Sequence, residues 1–307
     1  VSAQTFNENF AWRNGFGGGL APVGMGCNIF AAQDPASESF AATTRTFQYA
    51  RALKADGYFG RKTLAQYEKA FGPPSLELQG FDVSVYQNPR KLDFGRMYDD
   101  GHRFCGIKLY QGDDIPDRHA HEHARNAISS LLDFLYYLYD TPFTRGVHDA
   151  ILEAEAALRA LDKAPPSTLR LACDAEHKAY HVDKKTKRVM WGHEMHALWK
   201  KKPWEYRRRM TDWLLAKLHH LEVRIGYKPM IYSYPDFLIR RLYSEELTDY
   251  PLWLSSRRLS KPHTIPGYQR LACQQWTSEG SEQTRLHYDH DLDLNRAPYG
   301  LEPMLIP

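Results

Sequence analysis

The sequence predicts an α/β fold, a β/α barrel over residues 79–307 preceded by a small all-α domain at 1–78. Short apolar segments of strand character recur between residues 80 and 297, separated by stretches with helical periodicity. Strands alternating with helices make a mainly parallel sheet, and about eight of them over roughly 230 residues suit a closed barrel. Three of those segments also carry carboxylates at or beside their ends: Asp82, Asp174 with Glu176, and Asp293. Barrel enzymes place their chemistry at the C-terminal ends of the strands, so these acids mark the candidate site.

In chain order, residues 1–36 read as loop-rich, with Gly, Pro and small side chains dense from 12 onward. A helix is expected over Thr43–Leu53. Asp56-Gly57 and Gly60 then supply tight turns, and Thr63 lies just inside a second helix with Leu64, Tyr67 and Phe71 on one face. Phe47-Gln48 followed by Asp-Gly-x-x-Gly-x-x-Thr resembles the three-helix type of peptidoglycan-binding domain. That resemblance implies a cell-wall-binding role for Phe47, Asp56, Gly57, Gly60 and Thr63, the alternative being a small helical cap on the barrel. Pro73-Pro74-Ser75 marks a short linker.

The expected barrel strands are Gly80–Gln87, Phe104–Lys108, Phe134–Tyr139, Leu171–His177, Lys228–Ser233, Leu252–Ser255, Leu271–Trp276 and Asp291–Asn295. Leu171–His177 is the most telling. On a strand, alternate side chains share a face, so Asp174 and Glu176 point the same way. Two acids in one small space cannot both ionise freely, which keeps one carboxylic acid ready to donate a proton near neutrality. Taken alone, the triplet occurs often by chance and reads as a solvated strand end with two surface acids.

The ordered set Gly-Phe-Asp-Val-Ser-Val-Tyr-Gln (80–87), Phe-x-x-Ile-Lys-x-x-x-Gly (104–112), Asp-Ala-Glu (174–176), Gly-Tyr-Lys-Pro-Met-Ile-Tyr-Ser (226–233), Leu-Trp-Leu (252–254), and Gln-Gln-Trp with Asp-Leu-Asn (274–276, 293–295) resembles the glycoside hydrolase family 25 muramidases. The resemblance implies an irregular barrel of five β/α units plus three strands. It also implies cleavage of the β-1,4 bond between N-acetylmuramic acid and N-acetylglucosamine in peptidoglycan. Glu176 would be the general acid and Asp174 its orienting partner, with Asp82 and Asp293 completing the acidic cluster. Retention of configuration is implied, with either an enzyme aspartate or the substrate's acetamido oxygen as nucleophile. An aromatic-His pair usual after the third strand is replaced here by Tyr137-Leu138-Tyr139.

Sugar faces stack on aromatic rings while their rims need hydrogen bonds, so Tyr137, Tyr232, Trp253 and Trp276 are the expected platform. For each, and for Trp253 above all, a core position is the alternative. Gln87 and Lys108 are expected to reach sugar hydroxyls or the lactyl carboxylate, although Lys108 also suits a salt bridge inside the acidic cluster.

A chain of 307 residues, 43% hydrophobic, is long enough for two domains. Its net charge is only +3, yet basic residues cluster at 184–188, 200–202, 207–209 and 257–261, which suit either an anionic polymer or a solvated surface. Cys27, Cys105, Cys173 and Cys273 have no metal-type spacing and are expected as buried thiols. His119-Ala-His121-Glu-His123 and His193-Glu-Met-His196 keep open an alternative, a metal-dependent amidohydrolase or deacetylase acting on wall glycan. The first cluster follows the polar loop 112–117 and leads into a helix expected around Asn126–Leu132, so it does not end a buried strand, and the second is one residue short of H-E-x-x-H, so neither a metal nor another cofactor is expected. Bacterial peptidoglycan is the expected partner, with no nucleic acid and no membrane insertion, for a monomer. No basic n-region followed by an apolar stretch opens the chain, so release by phage lysis, virion delivery or a secretion system is expected.

Overall fold

Eight strands close into a barrel in the C-terminal part of the chain. The computed structural model describes residues 78–306 except 143–145, 184, 257–264, 269–270, 279–291 and 299, and also Gln48 and Lys54. The chain divides into two units, Val1–Glu77 and Leu78–Pro307. The features expected of the first unit, Phe47, Asp56, Gly57, Gly60 and Thr63, lie outside the described residues, as does Cys27.

The second unit runs β1 (Leu78–Val83), α1 (Phe94–Asp99), β2 (His102–Gln111), β3 (Ile115–Pro116), α2 (Ala120–Ser129), β4 (Asp133–Tyr139), α3 (Val147–Leu161) and β5 (Ala172–Asp174). It continues through a small hairpin, β6 (His181–Val182) and β7 (Val189–Trp191), then α4 (His193–Lys201) and α5 (Pro203–Ile225). β8 (Met230–Ser233), α6 (Pro235–Arg241), β9 (Leu252–Ser255), β10 (Cys273–Thr277) and β11 (Asp293–Ala297) complete it. Around the barrel the order is β1-β2-β4-β5-β8-β9-β10-β11, and β11 returns to β1. Neighbours are parallel except β11, which is antiparallel to both β10 and β1. A helix follows each of β1, β2, β4, β5 and β8, and among the described residues no α-helix separates the last three strands. The expected arrangement of five β/α units plus three strands is therefore the one adopted.

Local sequence accounts for the helix ends. The Asp93 side chain caps α1 by accepting from the Arg96 N–H at 3.0 Å. Proline at the first turn starts α5 and α6, and Gly226 at φ 81° stops α5. The first His cluster does not stay in a loop, since α2 begins at Ala120. On α5 the apolar residues Met210, Leu214, Leu218 and Leu221 recur at helical spacing and are buried.

Two apolar layers result. The larger lies between barrel and helices. The smaller fills the barrel with inward residues such as Phe104, Leu135, Met230 and Trp253, together with Cys273. Cys105, Cys173 and Cys273 are buried free thiols, as expected. Between α3, α5 and the end of β4 sits a buried ionic cluster: Lys217 Nζ meets Asp140 at 2.5 Å and Glu153 at 2.8 Å. Glu153 also accepts from the Thr141 hydroxyl at 2.8 Å. Charges removed from water this completely are tolerated only when mutually paired, so the cluster ties both helices to one face of the barrel.

The barrel interior has room for Trp253 because β2 carries no side chain opposite it. A Cβ on Gly106 would stand 2.8 Å from the Trp253 ring and 3.0 Å from the Asp82 Cβ. Gly106→Ala is therefore expected to lose about 1–3 kcal/mol by overpacking, read as a lower urea midpoint, with the indole displaced. Unchanged stability and unchanged Trp fluorescence would contradict this packing.

Candidate active site

The inward residues at the C-terminal ends of the parallel strands line a cavity of about 210 Å³. Asp82, Asp174, Glu176 and Asp293 all reach it, joined by Lys108, Tyr137, Tyr139, Tyr232, Trp253 and Gln275, and by Ser84 and Tyr86. The four acids named from sequence are thus brought together.

Two of them arrive by a different local route from the one expected. The regular strand β5 ends at Asp174, so Glu176 stands two residues beyond it in irregular backbone. Asp293 opens β11 instead of closing it. Because β11 runs antiparallel, its first residue lies at the rim where the other strands end, directly opposite Asp82 in the β1–β11 register.

Asp82 is the best held of the acids. Its Oδ2 accepts from Asn295 Nδ2 at 2.7 Å and Gln275 Nε2 at 3.1 Å. Trp253 Nε1 donates to Asn295 Oδ1 at 2.8 Å, and the Tyr232 and Ser255 hydroxyls both donate to Gln275 Oε1 at 2.8 Å. Trp253 is buried, with Tyr232 and Tyr137 meeting its ring edge to face at 4.9 and 6.0 Å. It is therefore a floor and a hydrogen-bond donor, less an open platform. Gln275 and Asn295 are the functional residues that sequence reasoning passed over. Both stand inside quoted motifs, at the inward positions of β10 and β11.

Burial pushes Asp82, Asp174 and Glu176 upward, and crowding of like charge adds to it for the two aspartates. Asp82 is raised well above the ordinary aspartate range by burial and then by Asp293, against the two amide donors. Asp174 is raised by burial and then by Glu176 and Asp140, and its Oδ1 has no hydrogen-bond partner. Glu176 is raised by burial, with Lys108 opposing. Lys108 Nζ donates to Gln111 Oε1 at 2.8 Å and stands 4.7 Å from the centre of the Tyr139 ring. Burial lowers it while Asp117, Asp174 and Glu176 favour its charge.

Two expected contact residues are not brought to the cavity. Gln87 turns back into its own loop, where its Oε1 accepts from the Ser84 N–H at 2.9 Å. It lies past the end of β1, so the strand alternation that would have aimed it inward no longer applies. Trp276 packs against the outer apolar layer, on the face of β10 opposite Gln275. In their place Tyr139 and the exposed Tyr86 stand at the cavity.

The histidines of the alternative reading serve elsewhere. His123 is buried beside the Ser84 and Gln87 carbonyls at 3.3 and 3.1 Å, and burial lowers it to about 4. His196 packs edge to face on Tyr180. Among the described residues no three His, Cys, Asp or Glu side chains are grouped to hold a metal ion, and no helix is long and apolar enough to cross a membrane.

The sequence profile of glycosyl hydrolases family 25 matches residues 81–284, well over half of the chain. Similar solved structures include a family GH25 lysozyme from Aspergillus fumigatus, 22% identical, with 72% of this chain and 93% of that one covered at a TM-score of 0.54. A bacterial lysozyme from Streptomyces coelicolor is 16% identical over 73% and 94% of the two chains, at 0.57. The Clostridium perfringens spore cortex lytic enzyme SleM is 17% identical over 76% and 70%, at 0.59. At these identities the likeness is one of fold. No curated protein matches the sequence.

An acid raised in the folded state stabilises below its unfolded pKa, and that contribution is lost as pH rises through the folded value. Asp174→Asn removes the cost of a buried carboxylate without changing its shape. The variant is expected to unfold at higher urea than the parent at pH 7, with the gain shrinking as pH falls towards the ordinary aspartate value of 3.8 and gone below it. Urea midpoints that differ equally at pH 3 and pH 7 would argue against a raised Asp174.

Proposed function

Because the chain belongs to glycosyl hydrolases family 25 and is a glycoside hydrolase, we propose that it is a muramidase of endolysin type. It cuts the β-1,4 bond between N-acetylmuramic acid and N-acetylglucosamine in bacterial peptidoglycan. The observation that carries this reading is the meeting of Asp82, Asp174, Glu176 and Asp293 at one aromatic-walled cavity. The lysozymes among the similar structures support the choice of substrate.

Glu176 is the general acid. Burial keeps its proton in place at a pH where a free glutamate has ionised, so it can deliver that proton to the glycosidic oxygen as the bond breaks. Positive charge then grows on the sugar ring, and the neighbouring carboxylates stabilise it. Asp174 orients and tunes Glu176. Asp82, clamped by two amides, and Asp293 hold the opposite wall. Tyr137 and Tyr232 meet the apolar sugar faces, and Lys108 meets hydroxyls or the lactyl carboxylate. The rate falls as pH rises through the raised pKa of Glu176, since the ionised form has no proton to give. The unit before β1, residues 1–77, acts as a wall-binding unit that raises the local concentration of glycan.

Glu176→Gln is expected to lower turnover about a hundred- to ten-thousand-fold with the fold intact, because an amide cannot supply the proton. Mass spectrometry of products from defined peptidoglycan should give reducing-end muramic acid; reducing-end glucosamine or an anhydro sugar would redirect the assignment. Removing residues 1–77 is expected to spare cleavage of soluble glycan fragments while weakening attachment to sacculi. Equal loss on both substrates would make that unit a folding partner instead.

A further inference from the structure

The connection from β5 to β8 carries a concentrated excess of positive charge. Residues 178–209 contain eleven Lys and Arg against three Asp and Glu, a net +8 in a chain of +3, so the remainder sums to −5. The segment follows Glu176 almost at once and forms the β6–β7 hairpin and α4 before α5 begins. Part of its charge is spent internally: Arg208 pairs with Glu246 and Asp212, Arg209 with Glu194 and Glu205, and Arg207 donates to the Leu242 carbonyl. Lys178, Lys185, Lys187, Arg188, Lys200 and Lys201 are exposed and have no carboxylate partner among the described residues.

Topology puts these cations at the level of the cleft. α5 leads through a short turn into the start of β8, and its 23 residues span about 34 Å, so its first turn lies at the end of the barrel where the strands finish. Lys200 and Lys201 close α4 immediately before it, next to the exposed Trp204, and the hairpin precedes α4. At the segment's root the His177 ring meets that of Tyr139, a cavity residue, at 6.4 Å.

We propose that this hairpin and α4 form a cationic rail beside the cleft that holds the stem-peptide carboxylates of the glycan strand being cut. The inference rests on the muramidase reading. A glycan threaded through a cavity of about 210 Å³ continues past its edge, and its peptide carboxylates recur along it as the only dense negative charge a peptidoglycan strand carries. Exposed unpaired cations at the exit complement that charge, and Trp204 offers an apolar face for the sugar between. Charge attraction of this kind is long-ranged at low salt and screened within roughly 10 Å at 0.1 M.

The test is binding of the full chain carrying Glu176→Gln, so that no strand is cut, to sacculi stripped of phosphodiester polymers. Replacing Lys185, Lys187, Arg188, Lys200 and Lys201 together with Gln is expected to weaken binding about tenfold at ~50 mM salt, with the difference gone at ~0.5 M. Amidating the stem-peptide carboxylates should weaken the parent equally and leave the five-fold variant unchanged. In the active chain the same five changes should raise KM for sacculi and leave kcat alone, with thermal unfolding confirming an intact fold. Unaltered binding by a folded variant overturns the proposal, as does a loss confined to sacculi that keep their phosphodiester polymers or to DNA. Absence of sugar release by the parent chain would instead defeat the muramidase reading, and the binding assay would still decide the rail.

Discussion

A carboxylate placed inside a closed barrel is the constraint on which the rest of this site depends. Asp82 faces Asp293 across the β1–β11 ladder, and burial, with the Asp293 charge beside it, drives Asp82 towards its neutral form. Two neutral amides, from Asn295 and Gln275, oppose that tendency. Each amide is in turn fixed by a donor from another strand, Trp253 for one and Tyr232 with Ser255 for the other. Five strands are therefore joined by hydrogen bonds that converge on one oxygen atom. Stability and chemistry pull in opposite directions here, since the buried acids that weaken the fold at neutral pH are the ones the proposed reaction uses.

The barrel was legible because most of its strands are apolar runs bounded by polar residues, and because the helix following each of the first five has its own period. The acids were legible because they interrupt those apolar runs. Direction was not: nothing in Asp291–Asn295 says that its strand runs against its neighbours, and only that reversal brings Asp293 to the same rim as Asp82. Alternation also stops where the regular strand stops. Beyond Val83 the chain turns, and Gln87 folds back onto Ser84.

On β10 the same period separates Gln275 from Trp276, and burial decides which matters. The larger aromatic attracts attention in the sequence, yet it packs outward against the helices while the glutamine holds Asp82. Trp253 shows the complementary case, an aromatic that lines the cavity from beneath through its indole N–H and ring edge. Tyr139 stands two residues beyond Tyr137 on the same face of β4, so strand alternation alone points it to the cavity, whereas Tyr86 lies past the end of β1 and only the geometry of its loop puts it there.

Closure by β11 carries a consequence for biosynthesis. Strand β1 is paired on one side by β2, formed early in the chain, and on the other by a segment more than two hundred residues later. While the ribosome is still making the intervening chain, the sheet has an open edge and Asp82 lacks both Asn295 and Asp293. The last-made strand therefore completes the barrel and the acidic cluster in a single event, so a growing or prematurely terminated chain lacks the assembled cluster.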